Sequence, residues 1–166
     1  MSRRSILTWP DTRLSAKCAP VDEVTDDIRT LASDMLDTMY GAPGRGLAAP
    51  QVGVLIRLFV MDATWKEGTP SPMICINPVI LSHSAQTATA GEGCLSIPGL
   101  SAEVSRPTSI RMTWTDLNGA EQVETLSGFA ALCAQHELDH LDGIVTLDRV
   151  DAAQRAALLA QYEAAA

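Results

Sequence analysis

The sequence has 166 residues, of which 46% are hydrophobic and 19% are charged, so a disordered or collagen-like chain is excluded. The formal net charge of −8 provides no overall field that would attract nucleic acid or an anionic membrane. No run approaches the roughly 20 apolar residues that span a bilayer, and Arg3-Arg4 is not followed by the apolar stretch of an export signal. We therefore expect one cytoplasmic domain over residues 1–166, with no nucleic-acid and no membrane partner.

An amphipathic helix over residues 25–40 is the first predicted element. Its apolar residues recur every three or four positions, and two aspartates occupy its first turn. Residues 41–53 contain several Gly and Pro residues, which predicts a loop that brings small residues to a site. Segments 54–62 and 73–81 are short and rich in Val and Ile, so both are predicted as strands.

A hairpin and two helices are predicted in the second half of the chain. Alternating apolar residues predict two antiparallel strands on either side of the turn Asn118-Gly119. Apolar and histidine residues with helical spacing predict a second helix from Phe129 to near Gly143. A short third helix from Asp151 is predicted by propensity. Helices and antiparallel strands in this order indicate an α+β fold.

The strongest local motif is His136-Glu-Leu-Asp-His140. On a helix, residues i and i+4 share one face, so both imidazoles can bind one metal ion with Glu137 beside it. The alternative is a polar helix turn whose histidines are hydrogen-bonded to their neighbours. A catalytic metal site usually has three protein ligands and one open position, so this motif requires a third ligand.

Cys94 is the best candidate for that third ligand. It lies in Glu92-Gly-Cys94-Leu-Ser96, where small and polar neighbours can hold a thiolate. Other positions fit less well, because Thr146 replaces the third histidine of the metzincin pattern, Asp148 lies beyond the helix end, and Glu163 lies in an alanine-rich tail. Two alternatives remain for Cys94: a buried structural thiol, or the nucleophile of a Cys/His enzyme.

Three motifs, in this order along the chain, resemble those of the peptide deformylase family. The motifs are Gly44-Arg-Gly46-Leu-Ala-Ala-Pro-Gln51-Val-Gly53, Glu92-Gly-Cys94-Leu95-Ser96 and His136-Glu137-Leu-Asp-His140. The resemblance covers nearly the whole chain. It implies antiparallel sheets packed around a central helix that carries HExxH, with an N-terminal helix and a short C-terminal helix. It also implies a hydrolase that removes the N-terminal formyl group from formyl-methionyl nascent peptides.

The same resemblance implies a metal and its chemistry. Cys94, His136 and His140 would bind one divalent ion, which is typically Fe(II) in the family and in some cases Zn(II). Such an ion lowers the pKa of bound water to about 7, and Glu137 can take the proton and later pass it to the leaving amine.

Substrate contacts and a structural brace are implied as well. The side-chain amide of Gln51 and the backbone N–H of Leu95 would hold the oxyanion of the tetrahedral intermediate. The backbone of Gly46 would hold the substrate peptide as an added strand. Glu92 and Arg106 would form an ion pair that braces the segment carrying the thiol.

Three positions depart from the family pattern. Arg45 stands where an apolar residue helps to line the methionine pocket, Ser101 where many members have arginine, and Thr146 where an apolar residue is usual. We expect the aliphatic stem of Arg45 to cover part of the pocket, with its guanidinium at the rim in water. Arg45 is therefore a candidate substrate-binding residue. The alternative is a side chain that points wholly into solvent.

These departures leave alternatives to the deformylase hypothesis. One is a paralogue with shifted substrate specificity, another is a peptide- or metal-binding protein with little turnover, and a third is a general metallopeptidase that cleaves internal amides. The expected partner is the formylated nascent peptide, and the chain is expected to be a monomer. A ribosome contact is weakly supported, because Arg155 is the only basic residue from Asp151 onward.

Overall fold

The computed structural model describes residues 2–165. Its helices are α1 (Asp26–Gly41), α2 (Gly128–Leu141) and α3 (Ala152–Ala165). Its strands are β1 (Gly46–Ala48), β2 (Leu58–Met61), β3 (Met73–His83), β4 (Thr87–Cys94), β5 (Ile97–Pro107), β6 (Ser109–Thr115) and β7 (Glu121–Ser127). No helix within residues 2–165 has the length and apolar character that a membrane crossing requires.

The strands form two antiparallel sheets. A five-stranded sheet has the order β1-β2-β3-β6-β7, and β4 pairs with β5 in a separate hairpin. Buried Ala131 and Ala134 of α2 share a core with Phe59 and Met112 of the larger sheet. The same helix also contacts β5 of the hairpin. The helix that carries the two histidines therefore touches both sheets, and the predicted α+β class is confirmed.

The N-terminal helix α1 covers another part of the core. Its N-cap is Thr25, whose side-chain oxygen accepts the backbone N–H of Ile28 and so satisfies one of the unpaired donors at the helix start. The buried side chains of Leu31 and Met35 pack with Leu58 of β2. This packing fixes the position of the chain that leaves α1 and enters β1.

The predicted helices and the hairpin at Asn118-Gly119 are confirmed, and three details are corrected. Residues 41–53, predicted as a loop, contain β1 and a 3₁₀ turn, because a three-residue strand is too short to show a periodic pattern. The strand predicted over 54–62 begins only at Leu58. The hairpin of β4 and β5 was not predicted, since β4 is rich in Thr, Ala and Gly and shows no apolar alternation.

Candidate metal centre

Cys94, His136 and His140 meet between β4 and α2. The two histidines lie one turn apart on α2, with ring centroids 5.0 Å from each other. Cys94 ends β4, and its Sγ atom lies 3.4 Å from His140 Nε2. One ligand atom from each residue lies within 4.8 Å of the other two. A thiol and two imidazoles this close form a donor set that fits a zinc or iron ion and leaves a fourth position for another ligand.

A buried network of charged groups orients His136. Its Nδ1 atom lies 3.1 Å from Glu92 Oε1, so the ring donates there and keeps Nε2 for a metal. Arg106 donates to both carboxylate oxygens of Glu92, at 2.6 and 2.9 Å. It also donates to Asp139 at 2.9 Å, and Asp139 accepts two further hydrogen bonds from Arg149. The ion pair of Glu92 and Arg106 is therefore extended by two more charged residues.

Burial and charge set the protonation of the cluster. Burial lowers the pKa of His140 well below its ordinary value, which favours the neutral ring that binds a metal. Burial alone would also lower the pKa of His136, but the charge of Glu137 and the contacts with Cys94 and Glu92 raise it well above its ordinary value. The same negative groups favour a metal cation at this place.

Glu137 lies beside the three candidate ligands and is only 3% exposed. Burial raises the pKa of its carboxyl to about 7, close to the pH at which a group can accept and return a proton. In the described part of the chain, Glu137 Oε1 and His140 Nδ1 are the two buried side-chain atoms without a hydrogen-bond partner. An unpaired buried carboxylate oxygen calls for a functional explanation, and a role as proton acceptor provides one.

Gly46, the first residue of β1, packs directly against Glu137. A Cβ atom on Gly46 would lie 2.9 Å from Cys133 Sγ and closer still to the Glu137 carboxylate. We expect Gly46→Ala to displace that carboxylate and to lower kcat about 100-fold, because small misplacements of a catalytic group have effects of this size. Measurement of kcat checks this prediction. Metal analysis of the same protein should show an unchanged metal content. A variant with near-normal kcat would contradict it.

Gln51 is 1% exposed, and its amide is held at both ends. Its Oε1 atom accepts the backbone N–H of Ala48 at 2.9 Å, and its Nε2 atom donates to Ser96 Oγ at 3.0 Å. The same Nε2 atom lies 3.8 Å from Cys94 Sγ. Leu95 follows Cys94 in the turn between β4 and β5. Both of the proposed oxyanion donors therefore lie next to the thiol.

A cavity of about 610 Å³ opens beside this cluster. Its lining includes ligand and base residues together with apolar groups from the 41–46 segment, the β4–β5 hairpin and α2. The apolar part of the lining includes Leu95, Leu100, Phe129 and Leu132. Such a cavity fits an uncharged side chain placed next to the base.

The model of the polypeptide deformylase family matches residues 3–156 of the sequence. The chain belongs to this family. A peptide deformylase of Afipia carboxidovorans is 45% identical over 166 residues, which cover 100% of this chain and 97% of the relative. A peptide deformylase-like protein of Agrobacterium fabrum is 45% identical over 163 residues, which cover 98% of this chain and 97% of that protein.

The solved structures agree with this assignment to the deformylase family. The crystal structure of peptide deformylase from Ehrlichia chaffeensis in complex with actinonin matches with a TM-score of 0.93 and 39% identity, covering 99% of this chain and 98% of that chain. The structure from Thermotoga maritima matches with a TM-score of 0.86 and 36% identity, covering 91% of this chain and 99% of that chain. The family and enzyme class predicted from the three motifs are confirmed, and the family is metal-dependent.

Of the three residues that depart from the deformylase pattern, Arg45 is the one that lines the cavity. Its guanidinium donates to the carbonyl of Ala63 at 2.8 Å and to Glu67 at 2.9 Å, and it lies 4.9 Å from the ring centre of Phe129. The side chain of Arg45 is 25% exposed, so its guanidinium is partly in contact with water as well as paired with Glu67. Glu67 stands 22 residues away in the sequence, and the fold brings it beside Arg45.

The other two departures lie away from the metal ligands. Ser101 is exposed on β5 and pairs with Gly93 of β4. Thr146 is buried in a 3₁₀ turn after α2. Neither residue supplies a donor to the cluster.

Several polar residues around the site, among them Ser96, Asp139 and Glu67, were not assigned from the sequence. Ser96 and Asp139 belong to the second and third motifs, so their place in those motifs was the available signal. Glu67 lies in no motif, and only the folded chain shows its contact with Arg45.

Proposed function

We propose that the chain removes the N-terminal formyl group from formyl-methionyl peptides by metal-dependent hydrolysis. The observation that carries this proposal is the meeting of Cys94, His136 and His140 beside the buried carboxylate of Glu137. Three ligands, one open position and an adjacent base are what hydrolysis of an amide by activated water requires. The deformylase relatives support a formyl peptide as the substrate.

The ligands proposed for the metal are Cys94, His136 and His140. We propose Fe(II) as the native ion because the family resemblance implies it, and Zn(II) as the second candidate because sulfur and nitrogen ligands suit both ions. When bound, the ion supplies a Lewis acid that brings the pKa of water to about 7.

The protein groups carry the proton and hold the developing charge. Glu137 takes a proton from the attacking water and passes it to the leaving amine. The Nε2 group of Gln51 and the backbone N–H of Leu95 donate to the oxygen that becomes negative. The loss of one such donor typically costs about 2.7–4 kcal/mol of transition-state stabilisation.

The substrate peptide is proposed to bind along β1. This strand lies at the edge of the five-stranded sheet, so one side of its backbone can pair with an extended peptide. Gly46 begins β1 and packs against Glu137, which supports a binding mode with the first peptide residue next to the proposed base. One chain supplies every proposed site residue, so the proposed chemistry requires no partner subunit. A ribosome contact gains no support from α3, because its Arg155 is bound to Leu147 and Asp148.

The test is release of formate from formyl-Met-Ala-Ser by protein prepared with Fe(II) in the absence of oxygen. Metal-dependent formate release supports the proposal. If Fe(II)- and Zn(II)-loaded proteins bind metal and release no formate, the chain is a binding protein with little turnover. Cleavage of internal bonds in casein would instead indicate a general metallopeptidase.

A further inference from the structure

We infer that Glu67 sets the charge preference of the substrate cavity. Its carboxylate neutralises Arg45, so the cavity takes an uncharged first side chain such as methionine. Without that carboxylate, the cavity would take an acidic side chain. Glu67 is thus a specificity-determining residue outside all three motifs. The inference rests on the proposed function, because it concerns the substrate of the same site.

Arg45 lies along the wall of the cavity. Its carbonyl oxygen is 3.5 Å from the Sγ atom of Cys133, a residue that lines the cavity. Its guanidinium carbon is 4.9 Å from the ring centre of Phe129, which lines the cavity as well. The aliphatic stem of Arg45 therefore lies along the cavity, and its guanidinium lies beside Glu67. The side chain of Arg45 is 25% exposed.

The guanidinium of Arg45 contacts the carboxylate of Glu67 through two nitrogens. Nη2 donates to Oε1 at 2.9 Å, and Nη1 donates to Oε2 at 3.2 Å. This paired geometry matches the planar guanidinium to the carboxylate, and the hydrogen bonds lower the pKa of Glu67 below its ordinary value. A substrate carboxylate would therefore meet a guanidinium whose positive charge is already offset by Glu67.

The 63–71 segment, which carries the carboxylate, is anchored independently of this ion pair. Trp65 Nε1 donates to the carbonyl of Gly44 at 2.9 Å. Asp62 is fully buried and accepts the hydroxyl of Tyr40 at 2.6 Å and a backbone N–H at the far end of the segment at 3.0 Å. Removing one exposed charge should therefore leave the segment in place and change only the electrostatics of the cavity.

A second cation, Lys66, also lines the cavity. The carboxylates of the lining have other roles, because Glu92 is paired within the buried network and Glu137 is the buried base. Without Glu67, both Arg45 and Lys66 would present positive charge to a bound peptide. A negative first side chain would then be attracted to the cavity.

The test compares formyl-Glu-Ala-Ser with formyl-Gln-Ala-Ser, since the two peptides differ in charge and hardly in size. We expect Glu67→Gln to raise the ratio of their kcat/KM values about tenfold in favour of the formyl-Glu peptide, mainly through KM. The gain should shrink at high salt, because the charges are partly exposed to solvent. Glu163→Gln, at an exposed position of α3, is the matched control and should leave the ratio unchanged.

Arg45→Ile in the Glu67→Gln background identifies the main cation, because the double variant should lose most of the gain and keep only the contribution of Lys66. The inference is wrong if the full gain persists in the double variant. It is also wrong if the Glu67→Gln protein still cleaves formyl-Met-Ala-Ser but has the same ratio of kcat/KM values for the formyl-Glu and formyl-Gln peptides as the parent protein. Failure of the unsubstituted protein to release formate from any peptide would overturn the proposed function, and this inference with it, so the two failures are distinguishable.

Discussion

Glu137→Gln is expected to keep the fold and the metal and to lower kcat about 100- to 10,000-fold, the usual contribution of a general acid–base group. The amide can fill the same buried space, but it cannot accept a proton from water. The stability should change little, because glutamine keeps the shape of a buried side chain whose Oε1 atom has no hydrogen-bond partner among residues 2–165. Formate release measures the activity, metal analysis the metal content and thermal unfolding the stability, all on the same preparation.

The discriminating result for Glu137 is activity at full metal content. Retention of more than about one tenth of the parent rate would contradict a general base, given the usual range for such groups. Loss of metal together with activity would instead assign Glu137 a role in holding the ion.

Cys94→Ser is expected to lose the metal and, with it, all measurable formate release. A serine hydroxyl does not ionise near neutral pH, whereas a thiolate is a strong ligand for zinc and iron. Cys75→Ser and Cys133→Ser serve as matched controls that should retain the metal. Burial raises the pKa of both thiols, and neither belongs to the ligand cluster.

Metal stoichiometry after dialysis against a mild chelator measures this difference. The parent protein and both control variants should keep one ion per chain under conditions that strip Cys94→Ser. A Cys94→Ser protein that keeps a full complement of tightly bound metal would show that the third ligand lies elsewhere.

The sequence could predict the part of the site that depends on local geometry. His136 and His140 are four residues apart, and any α-helix places such residues on one face. Cys94 could be proposed because its neighbours are small and polar, although no local rule shows that β4 brings it to α2. The family resemblance joined these two segments, and the structure places Cys94 Sγ 3.4 Å from His140 Nε2.

Contacts between distant, unpatterned segments could not be predicted. Asp139 binds Arg106, which is 33 residues away, and no periodicity links those positions. Arg45 was identified as unusual for the family, but the position of its charge depends on Glu67, in a segment without regular apolar spacing. The hairpin of β4 and β5 could not be predicted, since β4 consists mainly of Thr, Ala and Gly, which carry little signal for a strand.

Because Cys94 lies on the two-stranded hairpin, metal binding would also affect the stability of the fold. Cys94 belongs to this hairpin, whereas both histidines belong to α2, which packs on the five-stranded sheet. An ion bound by all three is a cross-link between two separately paired units. A ligand that binds only the folded chain stabilises it by about 4 kcal/mol at a thousandfold excess over Kd. Removal of the metal is therefore expected to reduce both the activity and the stability of the contact between the hairpin and α2.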